Sequence, residues 1–226
     1  MIMAPGCLVL VLILGGLLFW PFLLAHLFTS ALAQLGFGPG SALLLLAAMI
    51  VGGTINLPLY TVEREELVPV ETLGLFGFGP VLVRHRCDRA RTIVAVNVGG
   101  CVVPVLIALY QIRDLAAQPG GIAAVALATA VNVLVCHATA RPVPGLGILL
   151  PVLVSPVASV LLAWLLAPQE PVAVAFVAGV LGPLIGADLL NLPRAKRLAT
   201  GVMSIGGAGT FDAIVLSGVL AAVLAA

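Results

Sequence analysis

Long apolar runs, each of about 20 residues and almost free of charge, follow one another along this chain. A helix of that length crosses the hydrocarbon of a bilayer, and its backbone polar groups are satisfied within the segment itself. The runs are Cys7–Leu27, Ser41–Tyr60, Thr92–Ile112, Gly121–Ala138, Leu146–Ala167, Val172–Leu192 and Ala199–Ala226. They predict an all-α fold, a polytopic membrane helix bundle of about seven transmembrane helices. Residues 1–226 are expected to form a single integral membrane domain. Charged residues make up only 8% of the chain, where a soluble domain carries about 25%, so the lipid bilayer is the expected solvent and first partner. The Ala31-Leu32-Ala33 segment resembles a signal-peptide cleavage site. The run before it exceeds a usual signal core and has no basic residue ahead of it, so it is expected to be retained as a span.

Basic residues fix the expected orientation. With the N-terminus inside, the inner connections carry Arg64, Arg84, Arg86, Arg89, Arg91, Arg141, Arg194, Lys196 and Arg197, and the outer ones carry only Arg113. By the positive-inside rule the topology is N-in and C-out. The one sizeable connection, residues 61–91, is then a cytoplasmic loop. It opens with Glu63, Glu65 and Glu66 and closes with the basic run from Arg84 to Arg91. Between them, Gly74, Gly77 and Gly79 argue against a long helix. The segment reads as an amphipathic hairpin on the membrane surface or as a re-entrant segment. A net charge of +1 makes no case for nucleic acid, and no nucleic-acid partner is expected.

Only Asp188 and Asp212 place a carboxylate within the expected spans. An ionisable group there is costly and marks a functional site. Asp188 follows Val172 by 16 residues and Asp212 precedes Ala226 by 14, which puts them about 24 and 21 Å from the outer face. The two helices are sequential and antiparallel, so the carboxylates are expected to meet in a buried two-aspartate site. Two carboxyls in one low-dielectric site do not both ionise readily. Such a pair can share a proton, hold a cation or activate water.

The run Gly206-Gly207-Ala208-Gly209 is expected to break the last helix, because each glycine weakens it by about 1 kcal/mol relative to alanine. Gly206, Gly207 and Gly209, together with Asn97 at a depth matching Asp188 and Arg141 between the fourth and fifth spans, are the candidate substrate- or ion-binding residues. Tight helix packing through small residues is the alternative use of the glycines. Cys7, Cys87, Cys101 and Cys136 form no CxxC pair, and with His26, His85 and His137 scattered, neither a metal site nor a cofactor is expected. Asn97-Val98-Gly99-Gly100 and Ser204-Ile205-Gly206-Gly207 each follow a basic cluster. Helices two and six end in Gly52-Gly53-Thr54-Ile55-Asn56-Leu57-Pro58 and Gly186-Ala187-Asp188-Leu189-Leu190-Asn191-Leu192-Pro193. These matches suggest a parallel three-helix repeat.

The succession NVGG (Asn97 to Gly100), RPVPGLGI (Arg141 to Ile148), IGADLLNL (Ile185 to Leu192) and IGGAGTFD (Ile205 to Asp212) resembles an uncharacterised prokaryotic membrane family, domain of unknown function 1614. The resemblance implies a multi-pass protein of the bacterial or archaeal inner membrane. A looser likeness is to presenilin-like intramembrane aspartyl proteases, which also place two aspartates on neighbouring helices beside glycines. Here Gly186-Ala187-Asp188 is G-x-D instead of that family's GxGD.

Two functions fit these residues. In one, Asp188 and Asp212 are catalytic, an acid–base dyad of an intramembrane aspartyl protease acting on a membrane-embedded peptide. In the other, they bind the coupling ion of a proton- or cation-coupled small-solute transporter. An oligomer is compatible with either.

Overall fold

A computed structural model describes residues 5–72, 82–143, 147–198 and 201–226. Most of the chain is helical, but it is not all-α. Helix α1 spans Pro5–Gln34 and α2 spans Pro39–Gly52. Strands β1 (Asn56–Thr72) and β2 (Leu82–Asn97) follow as a long antiparallel hairpin. Helices α3 (Val103–Ala116) and α4 (Gly121–Thr139) come next, then the short strands β3 (Arg141–Val143) and β4 (Gly147–Leu149). Helices α5 (Val154–Leu166), α6 (Pro171–Gly182) and α7 (Leu190–Leu198), strand β5 (Gly201–Ile205) and helix α8 (Ala213–Ala225) complete it.

Among the described residues, three helical stretches are long and apolar enough to cross a membrane: Val98–Ala116, Gly121–Thr139 and Pro171–Ala195. Three shorter helices, α2, α5 and α8, are also apolar. Large apolar side chains face outward on several helices, among them Leu44, Leu134 and Leu165. A membrane protein has this exterior, because lipid leaves such groups no reason to turn inward. The core centres on α6, which packs against α3, α4, α5 and α8. Every residue from Ala173 to Val180 is buried, as expected of a helix apolar on all sides. Ala31 and Leu32 also belong to the core.

The connection at residues 61–91, read as a hairpin or a re-entrant segment, belongs to a β-hairpin whose strands are longer than expected. Its register places Glu63 opposite Arg91 and Glu65 opposite Arg89, so the acidic and basic runs meet across the strands. The Arg91 guanidinium lies 2.9 Å from the Glu63 carboxylate. The strands reach well into two expected spans: the second helix ends at Gly52, and residues 92–97 of the third are strand. Thr92, Ile93, Val94 and Val96 are β-branched and favour this conformation. Pro58 and Pro69 both fall on β1, an edge strand in the order β1-β2-β5, where a missing N–H is tolerated. Residues 73–81, the centre of the expected amphipathic or re-entrant segment, lie outside the described residues.

The break in the last span is present. Residues Gly201–Ile205 form β5, parallel to β2, with Val96 paired to Ile205. A tight turn through Gly206, at φ 70°, leads into α8. The segments NVGG and SIGG thus both leave paired strands, the first through a π-turn at Val98–Val102 and the second through a turn at Gly206. The likeness does not extend to their preceding helices. The 14-residue α2 ends before a strand, while α6 continues through a π-turn, Pro183–Leu189, into α7.

Candidate active site

Three chain reversals meet at one junction, and glycine makes the meeting close. A Cβ at Gly99 would collide with the Met49 carbonyl and the Gly53 nitrogen, and one at Gly100 with the Gly206 carbonyl. Asn97, fully buried, ties this junction. Its Nδ2 donates to the Gly53 carbonyl at 2.8 Å and to Asn56 Oδ1 at 3.1 Å. Its Oδ1 accepts from the Gly100 N–H at 2.8 Å. Ser204 Oγ on β5 also donates to Asn56 Oδ1, at 2.6 Å. The polar side chains therefore hold β1, β2 and β5 in place beneath the helices.

Beside this junction is an open cavity of about 380 Å³. Asp188 and Asp212 both line it, with Leu149, Ser155, Leu192, Met203, Phe211 and Ser217 among their neighbours. Asp188 is carried by the π-turn that interrupts the long α6–α7 helix. π-turns widen a helix locally and recur at functional sites. Asn191 Nδ2 donates to the Gly186 and Ala187 carbonyls at 3.2 and 3.1 Å, accounting for acceptors freed by that turn. Gly186 allows the turn to rest on α4: a Cβ there would meet the Val133 carbonyl.

Asp212 reaches the cavity differently. It is the N-cap of α8, and its Oδ1 accepts from the Ile214 N–H at 3.1 Å. Its Oδ2 accepts from the Ala208 N–H at 3.3 Å. Capping fixes the direction of the carboxylate, and the N-terminal end of the helix dipole favours its charge. The two carboxylates lie within electrostatic range of one another, and the Gly206 N–H faces Asp188.

The aspartates are half-buried on a cavity wall, which corrects the expectation of a buried pair. The π-turn and the helix cap both leave their side chains at the open edge of the helix packing. Gly207 joins them on the cavity wall, while Gly206 and Gly209 shape the turn with φ of 70° and 62°. Asn97 and Arg141 are not among the lining residues: Asn97 serves the junction, and Arg141 is exposed on β3.

Sequence reasoning passed over the inner end of the cavity. Ser155 and Ser217 line it, and Ser217 Oγ donates to Ser155 Oγ at 2.6 Å. From there a buried network continues: Asn132 Nδ2 lies 2.9 Å from Ser155 Oγ, 2.9 Å from Ser159 Oγ and 2.8 Å from the Ala178 carbonyl. The signal was Ser155 and Ser159, one helical turn apart within an otherwise apolar stretch.

The chain is mostly helical, with helices apolar enough to cross a membrane, and two carboxylates, each positioned by a break in helical structure, line one cavity. The chain belongs to the family described as Protein of unknown function (DUF1614), which matches residues 50–224. No curated protein and no solved structure matches it.

Proposed function

We propose that this protein is an intramembrane aspartyl protease, with Asp188 and Asp212 as its catalytic pair. The observation that carries the reading is their shared position on the wall of one cavity. In the proposed reaction the pair holds one proton. The ionised member takes a proton from water as the water oxygen attacks the peptide carbonyl carbon, and the protonated member gives its proton to the carbonyl oxygen. Collapse of the tetrahedral intermediate breaks the C–N bond: the departing nitrogen takes the proton that the first aspartate received from water, and the other aspartate takes back the hydroxyl proton as the carbonyl re-forms, which returns the pair to one proton. Ser155 and Ser217 offer hydroxyls at the inner end where water can be held.

In this reading the protein is a multi-pass protein of a prokaryotic inner membrane, N-in and C-out. Its seven crossings are α1, α2, α3, α4, α5, α6 with its π-turn, and α8. At 14, 13 and 13 residues, α2, α5 and α8 rise only about 20 Å, short of a hydrocarbon layer of about 30 Å. The base of the sheet then completes the crossings of α2 and α8, where exposed Leu57, Leu59 and Val202 face lipid, and the exposed apolar residues Val152 and Leu153 extend α5.

The test is to incubate purified protein in micelles with single-span peptides and to identify fragments by mass spectrometry. Fragments that disappear with either Asp188→Asn or Asp212→Asn support the protease. Intact peptides, together with an aspartate-dependent proton flux in vesicles, replace it with the ion-coupled transporter.

A further inference from the structure

A second cavity, of about 390 Å³, lies at the opposite end of α6 from Asp188. The last residues of α1, the C-terminal turns of α3 and the connection into α6 meet there. Asp188 follows Pro171 by 17 residues, about 25 Å along a helix, and the two cavities share no lining residue. In the topology proposed above, this second cavity opens on the outer face.

Its polar wall is acidic and amide. Gln34, Gln111, Asp114, Gln118, Gln169 and Glu170 line it, and no basic residue does. Arg113 is next to Asp114 in the chain but is not on the wall. Neither carboxylate has an ion-pair or hydrogen-bond partner among the described residues. Glu170 stands at the N-cap of α6, yet its side chain makes no capping bond. α1 and α3 both end here, so the negative ends of two helix dipoles face the positive end of one.

Gln111 shows what the cavity is built to meet. It is only 4% exposed, and it lines the cavity. Its Nε2 donates to the Leu35 carbonyl at 2.9 Å. A carbonyl only accepts, so this bond sets the amide nitrogen toward Leu35 and leaves the oxygen pointing away from it. Oε1 has no hydrogen-bond partner among the described residues, and it is not sealed off from the cavity. An acceptor held this deep is costly unless something arrives to satisfy it. With two unpaired carboxylates beside it, the group that satisfies all three carries positive charge.

We propose that this cavity binds a hard divalent cation of the calcium type, with Asp114, Glu170 and the Gln111 amide oxygen as its protein ligands and water completing the shell. Calcium takes about six to eight oxygens and accepts carboxylates, amide oxygens and waters alike. The cavity wall offers such oxygens and neither thiolate nor imidazole. Affinity in oxygen sites rises with the number of charged ligands, and two carboxylates place this one with the weak extracellular calcium modules, at a Kd of about 0.1–1 mM. A bound ion ties the ends of α1 and α3 to the start of α6. The site is independent of the protease reading.

The experiment uses the full protein in a non-ionic detergent, stripped of metal by a chelator and then freed of the chelator. Terbium, a hard cation close to calcium in size, is titrated in and its luminescence followed under direct excitation, and calcium is then added to displace it. The expected result is saturation at one ion per chain, displacement by calcium with a Kd of about 0.1–1 mM, and a melting temperature that rises with calcium concentration. Asp114 is exposed and Glu170 half-buried, so the double variant Asp114→Asn, Glu170→Gln should melt with wild type when calcium is absent. Its affinity for calcium should fall at least about tenfold, since two ligand charges are gone, and its thermal shift should vanish. The variant Asp188→Asn, Asp212→Asn should bind calcium as wild type does. Absence of saturable binding, or undiminished binding by the first variant, overturns the proposal. Binding lost in the second variant also overturns it, because the ion would then belong to the two-aspartate cavity. Displacement of terbium by ethylammonium as readily as by calcium would overturn the metal assignment and make this an amine site.

Discussion

Asp212 both caps α8 and lines the cavity, and a pair of substitutions separates the two roles. Asparagine is as good an N-cap as aspartate, so Asp212→Asn should leave the Ile214 N–H satisfied and the helix unchanged. Alanine removes the cap and costs about 1 kcal/mol, within a range of about 0.5–2. For a chain of this size that corresponds to a melting temperature about 2–4 °C lower. The Ala208 N–H adds little, because that hydrogen bond is exposed. Loss of a general acid or base slows hydrolysis by about 10²–10⁴-fold. The account therefore expects Asp212→Asn to melt with wild type yet cleave at least about 10²-fold more slowly. Asp212→Ala should be slow and also less stable. Melting is followed by intrinsic fluorescence in detergent, and cleavage by product accumulation from a single-span peptide. An Asp212→Asn protein that cleaves normally would refute the reasoning and leave Asp212 as a cap alone.

Gly100→Ala should destabilise the fold by about 1–3 kcal/mol, since its Cβ meets the Gly206 carbonyl; a denaturation midpoint matching wild type would contradict the close junction. Asn97→Ala leaves the buried Gly100 N–H without its acceptor and should cost about 1–3 kcal/mol. Asn97→Asp keeps that acceptor but sets a buried carboxylate against the Gly53 carbonyl and Asn56 Oδ1, and should recover none of the loss in the same unfolding assay. For orientation, a reporter active only in the periplasm should give signal when fused after Ala226 and none when inserted after Arg86, and the opposite pattern would invert the topology.

The helical part of this fold was legible because spans of about 20 apolar residues have few other solutions. The sheet was not, for a particular reason. Thr92 to Val96 lies within an uninterrupted apolar run, where periodicity does not separate a buried strand from a helix. Its β-branched content and the two prolines on β1 carried the information that length obscured. The acidic and basic runs around Glu63 and Arg91 read as two ends of a loop, yet complementary charge at mirrored distances from a glycine-containing centre is also a hairpin pattern. Asp188 and Asp212 stood out because acids are scarce in the spans, and their convergence followed from counting depth along antiparallel helices. Their half-exposed setting did not follow, because a π-turn leaves no mark beyond Pro183 and Gly186. Asn97 was legible as a buried polar group, but its partners lie 44 and 41 residues away in sequence, so its service to the junction was not.

If two carboxylates activate water against a peptide bond, the oxygen of that water ends in the product, and isotope incorporation reads it out. Purified protein, reconstituted in lipid vesicles with a single-span peptide, is incubated in water enriched in ¹⁸O, and the fragments are weighed by mass spectrometry. The account predicts a fragment whose new C-terminal carboxyl carries one ¹⁸O after a single turnover, and no such fragment from Asp188→Asn or Asp212→Asn. Labelled fragments that persist in both variants, or a peptide that stays intact with wild type, would contradict it.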